Sequence, residues 1–465
     1  MPHHHHSRHE IEGARRSRWF VLASALLLVA CWALGGVTVD SSGADEFLQL
    51  LALPVLCWAG WRLTYVPMTR TLALALVGAG AIVLVPLWQQ LPLPQAVGMG
   101  GAARAQIAAD IAQAGVPVSG AQASLWPRAT EEALWSLLPA IALFMGALTL
   151  AGPWRRRLLQ VVLGLVLASA AFAFFQLSLP DGSPLLLYTS WGRNFGGLFV
   201  NPNHQGSALA IGAVIACALF IEGRRSAIDD DGSRRYWLYA FLAAACVAMV
   251  PLANGSAAVL LVLTGLVAVL VMLGALGGLG GGRRSGMLRL AGVGLVVAIT
   301  LASALAWRQV DVERRHIASQ TVAVGRQHAP LGAGVGSFVP VFAQSQDLRQ
   351  ARSERINHAH NEYVQWWLEG GVPALLALGM VLGLFAWAGW QVLTRSQSRR
   401  LRAVAAPAWA GLLILLVHSL VDFPLRTTAL MATAGLLAGL LFASLVDARR
   451  MIRRRDEMDG ALQQA

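Results

Sequence analysis

Apolar residues in this chain recur in long unbroken runs rather than on alternate positions or on one stripe of a helix. Runs of that kind are apolar on every helix face, as lipid or the interior of a helical bundle requires. A helix rises about 1.5 Å per residue and must satisfy its own backbone amides across a hydrocarbon core of about 30 Å, so about 20 apolar residues mark a span. About twelve runs meet that need, near residues 19–37, 47–62, 71–90, 131–151, 158–177, 205–222, 236–253, 256–277, 288–307, 371–393, 404–422 and 427–446. The predicted fold class is therefore an all-α polytopic membrane protein.

Composition narrows the picture. Hydrophobic residues make up 56% of the chain and charged ones 13%, against about a quarter charged in soluble domains, which excludes a soluble enzyme and a disordered chain. The formal charge is +12, and its placement argues for orientation in a membrane rather than for nucleic acid. Arginines cluster at 15–18, 62–70, 155–157, 224–235, 283–289, 395–402 and 449–455, in every second connection, while the intervening ones begin with Asp40, Asp45 and Glu46. Cytoplasmic loops carry the excess of basic residues. Both tails, 1–18 and 447–465, are therefore predicted to be cytoplasmic, with helices at 19–307 and 371–446. The first run lacks a small-residue cleavage site and is read as a helix, not as a removed signal. The four cysteines lie in apolar runs without C-x-x-C spacing and read as core residues. The run His3–His6 carries no functional weight.

Three segments fall on the side away from the arginine-rich loops, which in a bacterium is the periplasm: 91–130, 178–204 and 308–370. The first, with a short helical stretch near Arg104–Ala114, reads as a surface cap. In the second, SWGRNFGGLFVNPNHQG sets Arg193 at a membrane edge, where a guanidinium is costly unless it is paired or faces a polar cavity. Asn201, Pro202 and Asn203 form a turn able to cap the helix that starts near His204. The third segment, between the ninth and tenth helices, holds His316, His328, His358 and His360.

Within that long loop, RQVDVERRH precedes HAPLGAGVGSF. Gly332, Gly334 and Gly336 hint at a phosphate cradle, but no strand precedes them and no P-loop lysine follows, so a surface turn is the better reading. In INHAHNEYVQWWLEGGVPALL, Asn361 and Glu362 suit a helix start, Trp366 and Trp367 an interfacial belt, and Gly370, Gly371 and Pro373 a break before the tenth span. His358 and His360 lack a third ligand at metal-binding spacing. On residue type alone, His360 divides evenly between helix capping and catalysis. In HSLVDFPLR, His418 and Asp422 stand one helical turn apart, and Asp422 and Arg426 are close enough in sequence to pair across the short turn. A buried polar pair fixing the helix junction is the preferred reading there.

Four patterns, GRNFGGLFVNPNH at 192–204, PLGAGVGSF at 330–338, HAHNEYVQWWLEGGVP at 358–373 and HSLVDFPLR at 418–426, together with the helix layout, resemble the O-antigen ligase and O-antigen polymerase family. These are integral membrane glycosyltransferases of the GT-C type. The resemblance implies a periplasmic active site in the bacterial inner membrane and a glycan donor on undecaprenyl pyrophosphate. It also implies inverting transfer to an acceptor sugar hydroxyl, without metal or cofactor. The acceptor is lipid A-core for a ligase and a lipid-linked repeat for a polymerase. By position His360 matches the family's histidine, a general base on the acceptor hydroxyl or a group that orients it. Arg193 and one of Arg314 and Arg315 would hold the pyrophosphate, with Asn203, His358, Asn361, Asp422 and Arg426 in support. One departure is NGSAA at 254–258, where many members have a Ser-Arg pair and this chain has Ser256 followed by Ala257. Protein O-glycosylation is the alternative within the class, and a twelve-helix transporter the alternative outside it. No internal repeat of the kind common in transporters is visible.

Overall fold

The computed structural model describes residues 3–37, 43–92, 102–115, 122–187, 194–229, 235–253, 256–274, 312–345, 356–394 and 399–464, with short pieces between 291 and 301. Among them the secondary structure is helical apart from one isolated bridge between Pro92 and Gln122. In order the helices are α1 His3–Leu34, α2 Gly43–Leu63, α3 Arg70–Gln89, α4 Ala102–Gln113, α5 Pro127–Ser136, α6 Leu138–Leu148, α7 Gly152–Ser178 and α8 Pro202–Asp229. They continue with α9 Tyr236–Met249, α10 Ser256–Met272, α11 Val312–Gln327, α12 Phe338–Gln344, α13 Glu362–Thr394, α14 Arg399–His418 and α15 Thr428–Gln464.

Among the described residues nine helical segments are long and apolar enough to cross a membrane. The chain is an all-α membrane protein. Three of the predicted spans stand outside those nine. α2 carries Asp45, Glu46 and Arg62 within its 21 residues. α10 is 17 residues long, and its apolar part is Val259–Met272. The run 288–307 lies largely outside the described residues. α1 and α15 continue through the two tails as unbroken helix, with no proline to stop either one.

α15 is the central column. It packs against α6, α14 and α1, and the window Thr428–Ala448 is 78% buried. Gly435 and Gly439, four apart on one face, let its backbone approach Ala140 and Phe144 of α6 so closely that a β-carbon at either position would strike a carbonyl oxygen. Trp32 of α1 donates from its indole to Thr433 Oγ1 at 3.0 Å, a buried polar link inside an otherwise apolar interface.

The predicted break before the tenth span is a kink inside α13, where Gly371 takes φ 59° and ψ −146°. Only glycine adopts that backbone without strain. The turn at 330–337 docks against this kink. Ala333 and Gly334 donate to the carbonyls of Leu368 and Glu369, at 2.9 and 2.8 Å, and Gly332 donates to His328 at 2.9 Å. The buried Gln89 side chain binds Glu369 O at 3.0 Å and receives the Val335 amide at 2.9 Å. The glycine-rich stretch thus spends its amides inside the protein, as a structural turn does, and offers no open anion cradle.

The segment read as a surface cap is tied to the 330–337 turn by the Leu125 amide, which donates to Ala333 O at 2.8 Å, and by a buried arginine. Arg104 of α4 is buried, and its guanidinium donates to Ala123 O and, at 2.8 Å, to Gly332 O. Burial lowers its pKa, although it remains a cation at any physiological pH.

Candidate functional site

α14 ends at His418, four residues earlier than hydropathy indicates, and the chain turns through 419–427 before α15 begins. Asp422 stands on that turn with its carboxylate fully buried. A carboxylate in such a place is unstable unless charges and donors surround it, and here they come from four parts of the chain.

Asn201 caps α8, accepting the Asn203 amide on Oδ1 at 2.9 Å with Pro202 in the first helical position. That geometry turns both side-chain amides toward the 419–427 turn. Asn201 Nδ2 and Asn203 Nδ2 donate to Asp422 Oδ2 at 3.2 and 3.0 Å. From α11, Arg314 Nη1 lies 3.2 Å from the same oxygen and 3.1 Å from Val421 O. The other oxygen, Oδ1, accepts the Phe423 amide at 3.1 Å and faces His360 Nδ1 at 3.4 Å. His418 Nε2 stands 3.7 Å from Oδ2, and Ser207 Oγ holds its Nδ1 at 2.7 Å. Burial alone would raise the Asp422 carboxyl. The imidazoles of His360 and His418 and the Arg314 guanidinium outweigh it and hold the group well below the usual carboxylate range.

His360 has φ 50°, left-handed for a residue with a side chain. That backbone costs on the order of 1–3 kcal/mol and persists only where neighbours fix it. Neighbours do so on its C-terminal side. Asn361 caps α13, accepting the Val364 amide at 3.1 Å, and its amide donates to Leu420 O at 2.8 Å. The Glu362 amide donates to Ser419 O at 2.9 Å. The ring rests against Phe423 at 5.0 Å between centroids and keeps 24% of its side chain exposed, enough for an incoming molecule to reach it. Among the described residues nothing takes Nε2.

A second polar group lies one turn away. Arg426 Nη2 binds Glu369 Oε2 at 2.9 Å, and Gln365 Nε2 binds Glu369 Oε1 at 3.0 Å. Glu362 Oε1 accepts the Leu425 amide at 2.7 Å. Burial works against the Arg426 charge, but Glu369 and Glu362 outweigh it and raise its pKa. The predicted pairing of Arg426 with Asp422 is corrected by this contact. The turn sends the two side chains to opposite sides, and Glu369 reaches Arg426 from the kink in α13.

Of the other residues singled out from sequence, Arg314 points inward and Arg315 is exposed on the next position of α11. His358 packs at a tilt against Phe423 with centroids 4.3 Å apart, and its Nδ1 lies 3.4 Å from Gln365 Nε2. His316 is exposed, and Arg193 lies outside the described residues. Among the described residues no three His, Cys, Asp or Glu converge as a metal site.

Sequence reasoning missed the parts played by Asn201, Ser207 and Glu369. The signal for Glu369 was present, a carboxylate between Trp367 and the apolar tenth span, because an acid at such depth demands a partner. Comparison of the chain with family models and with curated proteins finds no match.

The arrangement has a clear chemical capacity. A carboxylate oxygen 3.4 Å from one imidazole nitrogen leaves the second nitrogen to accept a proton from a hydroxyl. The Arg314 guanidinium beside it suits an anionic leaving group.

Proposed function

We propose that the protein is a glycosyltransferase of the bacterial inner membrane, a ligase or polymerase of lipid-linked surface polysaccharide such as O-antigen. In this reading twelve helices of the GT-C type keep both termini cytoplasmic and open the site to the periplasm. The donor is a glycan on undecaprenyl pyrophosphate. The acceptor is a sugar hydroxyl of lipid A-core or of another lipid-linked repeat.

The observation that carries the reading is the contact of His360 Nδ1 with Asp422 Oδ1 at 3.4 Å, beside Arg314 on the other carboxylate oxygen. His360 Nε2 takes the proton of the acceptor hydroxyl as its oxygen attacks the anomeric carbon. The bond from that carbon to the pyrophosphate oxygen breaks, the electron pair leaves with undecaprenyl pyrophosphate, and the configuration inverts. Asp422 stabilises the imidazolium that forms. Arg314, the exposed Arg315 and Arg193 supply positive charge for the departing pyrophosphate.

The test is a chain-length profile of surface and lipid-linked glycans from a strain lacking the gene, complemented with wild type or His360→Ala. Single repeats on the lipid acceptor indicate a polymerase. Full-length polymer stranded on undecaprenyl pyrophosphate indicates a ligase. A wild-type profile from His360→Ala, with the protein present in the membrane, would sink the reading.

A further inference from the structure

On the side of the 419–426 turn where Ser419, Leu425 and Arg426 lie, a cleft of about 1330 Å³ opens among α2, α3, α5, α6, α13, α14 and α15. None of the five side chains that gather on the Asp422 carboxylate lines it. Its walls are apolar at depth, with Leu384, Phe385, Leu412, Leu441 and Phe442. Along α15 the lining runs from Thr428 to Phe442, about 21 Å at 1.5 Å per residue, or two-thirds of a hydrocarbon core of about 30 Å.

The mouth has a different chemistry. Among the described residues Asp45, Glu46, Glu131, Glu132 and Glu362 line it, with two guanidiniums, Arg128 and Arg426. Both arginines are engaged by carboxylates, Arg128 with Glu132 at 3.1 Å and Arg426 with Glu369 at 2.9 Å. Trp126, Trp135 and Trp366 stand among the carboxylates. A pyrophosphate brought to this rim would meet five carboxylates, and each of the two described guanidiniums on the lining already lies beside one, which disfavours it. Sugar hydroxyls are the opposite case. Carboxylates accept their protons, and flat indole faces pack on the apolar faces of sugar rings.

We infer that this cleft holds the lipid-anchored acceptor, with its sugars at the carboxylate and tryptophan mouth and its chain between the helices. The inference rests on the glycosyl-transfer reading and divides its two substrates by charge. The pyrophosphate donor belongs on the Arg314 and Arg315 side of the 419–427 turn, and the acceptor on the Glu362 side. Glu362 and His360 flank Asn361 at the start of α13, so an acceptor sugar at the mouth lies within reach of the proposed base.

The test uses the full chain in nanodiscs of zwitterionic lipid, with two diazirine-bearing probes. One is a phosphate-free glucosyl lipid and the other undecaprenyl phosphate. The glucosyl lipid should label peptides containing Leu384 or Phe442. Ala434→Phe, which places a ring in the cleft, should cut that labelling about tenfold and leave undecaprenyl phosphate labelling unchanged. Ala438→Phe is the second variant, and size-exclusion chromatography confirms that each is folded. Undecaprenyl phosphate labelling the same peptides and lost in the filled variants would overturn the assignment, because the donor would then occupy the cleft. Glucosyl-lipid labelling that persists in both filled variants would overturn it as unspecific partition. Neither readout needs turnover, so a failure of the glycosyl-transfer reading appears separately, in the His360→Ala glycan profile.

Discussion

His360 Nδ1 meets Asp422 Oδ1 at 3.4 Å while Arg314 Nη1 takes Oδ2 at 3.2 Å, so one carboxylate is shared between an imidazole and a guanidinium on different oxygens. The carboxylate couples the imidazole proposed as base to the cation proposed for the leaving group. Removing it disturbs both.

Asp422→Asn keeps the size of the side chain and removes its charge. Glycan transfer should fall about 10²- to 10⁴-fold, the range for loss of a positioned acid–base partner, with the protein still in the membrane. The sign of the pH effect follows from the depressed carboxyl. A lowered folded pKa contributes stability that is fully present above the unfolded value of about 3.9 and is lost as pH falls through the folded value. The melting temperature of wild type should therefore exceed that of Asp422→Asn by a constant margin at neutral pH, and the margin should close only below about pH 4. A margin that closes between pH 6 and 8 would contradict the assignment.

Arg314 and Arg315 should separate in kinetics. Arg315 is exposed on α11, so Arg315→Ala should change stability by no more than about 0.5 kcal/mol and act by raising KM for the lipid-pyrophosphate donor. Arg314→Ala removes the cation bound to a buried carboxylate and should lower both stability and kcat. Arg314→Lys should recover only part, because a point charge does not reproduce the planar donors that reach Asp422 and Val421 O. Thermal melts and donor titrations of the three variants check this.

The Glu369–Arg426 pair is a structural clamp on the same turn. Glu369→Gln or Arg426→Met alone leaves one buried charge without its partner and should cost about 3–5 kcal/mol. The double variant should be closer to wild type than the sum of the single effects. A double-mutant cycle of melts in detergent measures the coupling, and strict additivity would show that the two residues do not act as a pair.

Arg104→Ala should loosen the 102–113 segment. Its carbonyl partners, Ala123 O and Gly332 O, lose a charged donor, at a cost of about 1–3 kcal/mol. Limited proteolysis should cut this region faster in the variant, while the membrane helices stay protected.

Parts of the site were legible in order along the chain. Asn361 and Glu362 signalled a helix start, Gly371 a break, and Asn201-Pro202-Asn203 a cap, because caps and breaks are settled by residues within a few positions of each other. Arg314 and Arg315 were not separable, since adjacent helix positions differ only in which way they face a neighbour. Arg426 was misassigned for a related reason. Asp422 is close in sequence, but Glu369 is close in space.

By itself the sequence determined that the chain is a bundle of apolar helices, since backbone amides in lipid leave no other choice for such runs. It also determined where polar chemistry gathers, because charged residues are too costly in hydrocarbon to lie elsewhere. Only the tertiary structure decided which of those groups meet. Asp422 is surrounded by residues of α8, α11 and the start of α13, drawn together because a buried carboxylate is stable only when donors from separate helices close around it.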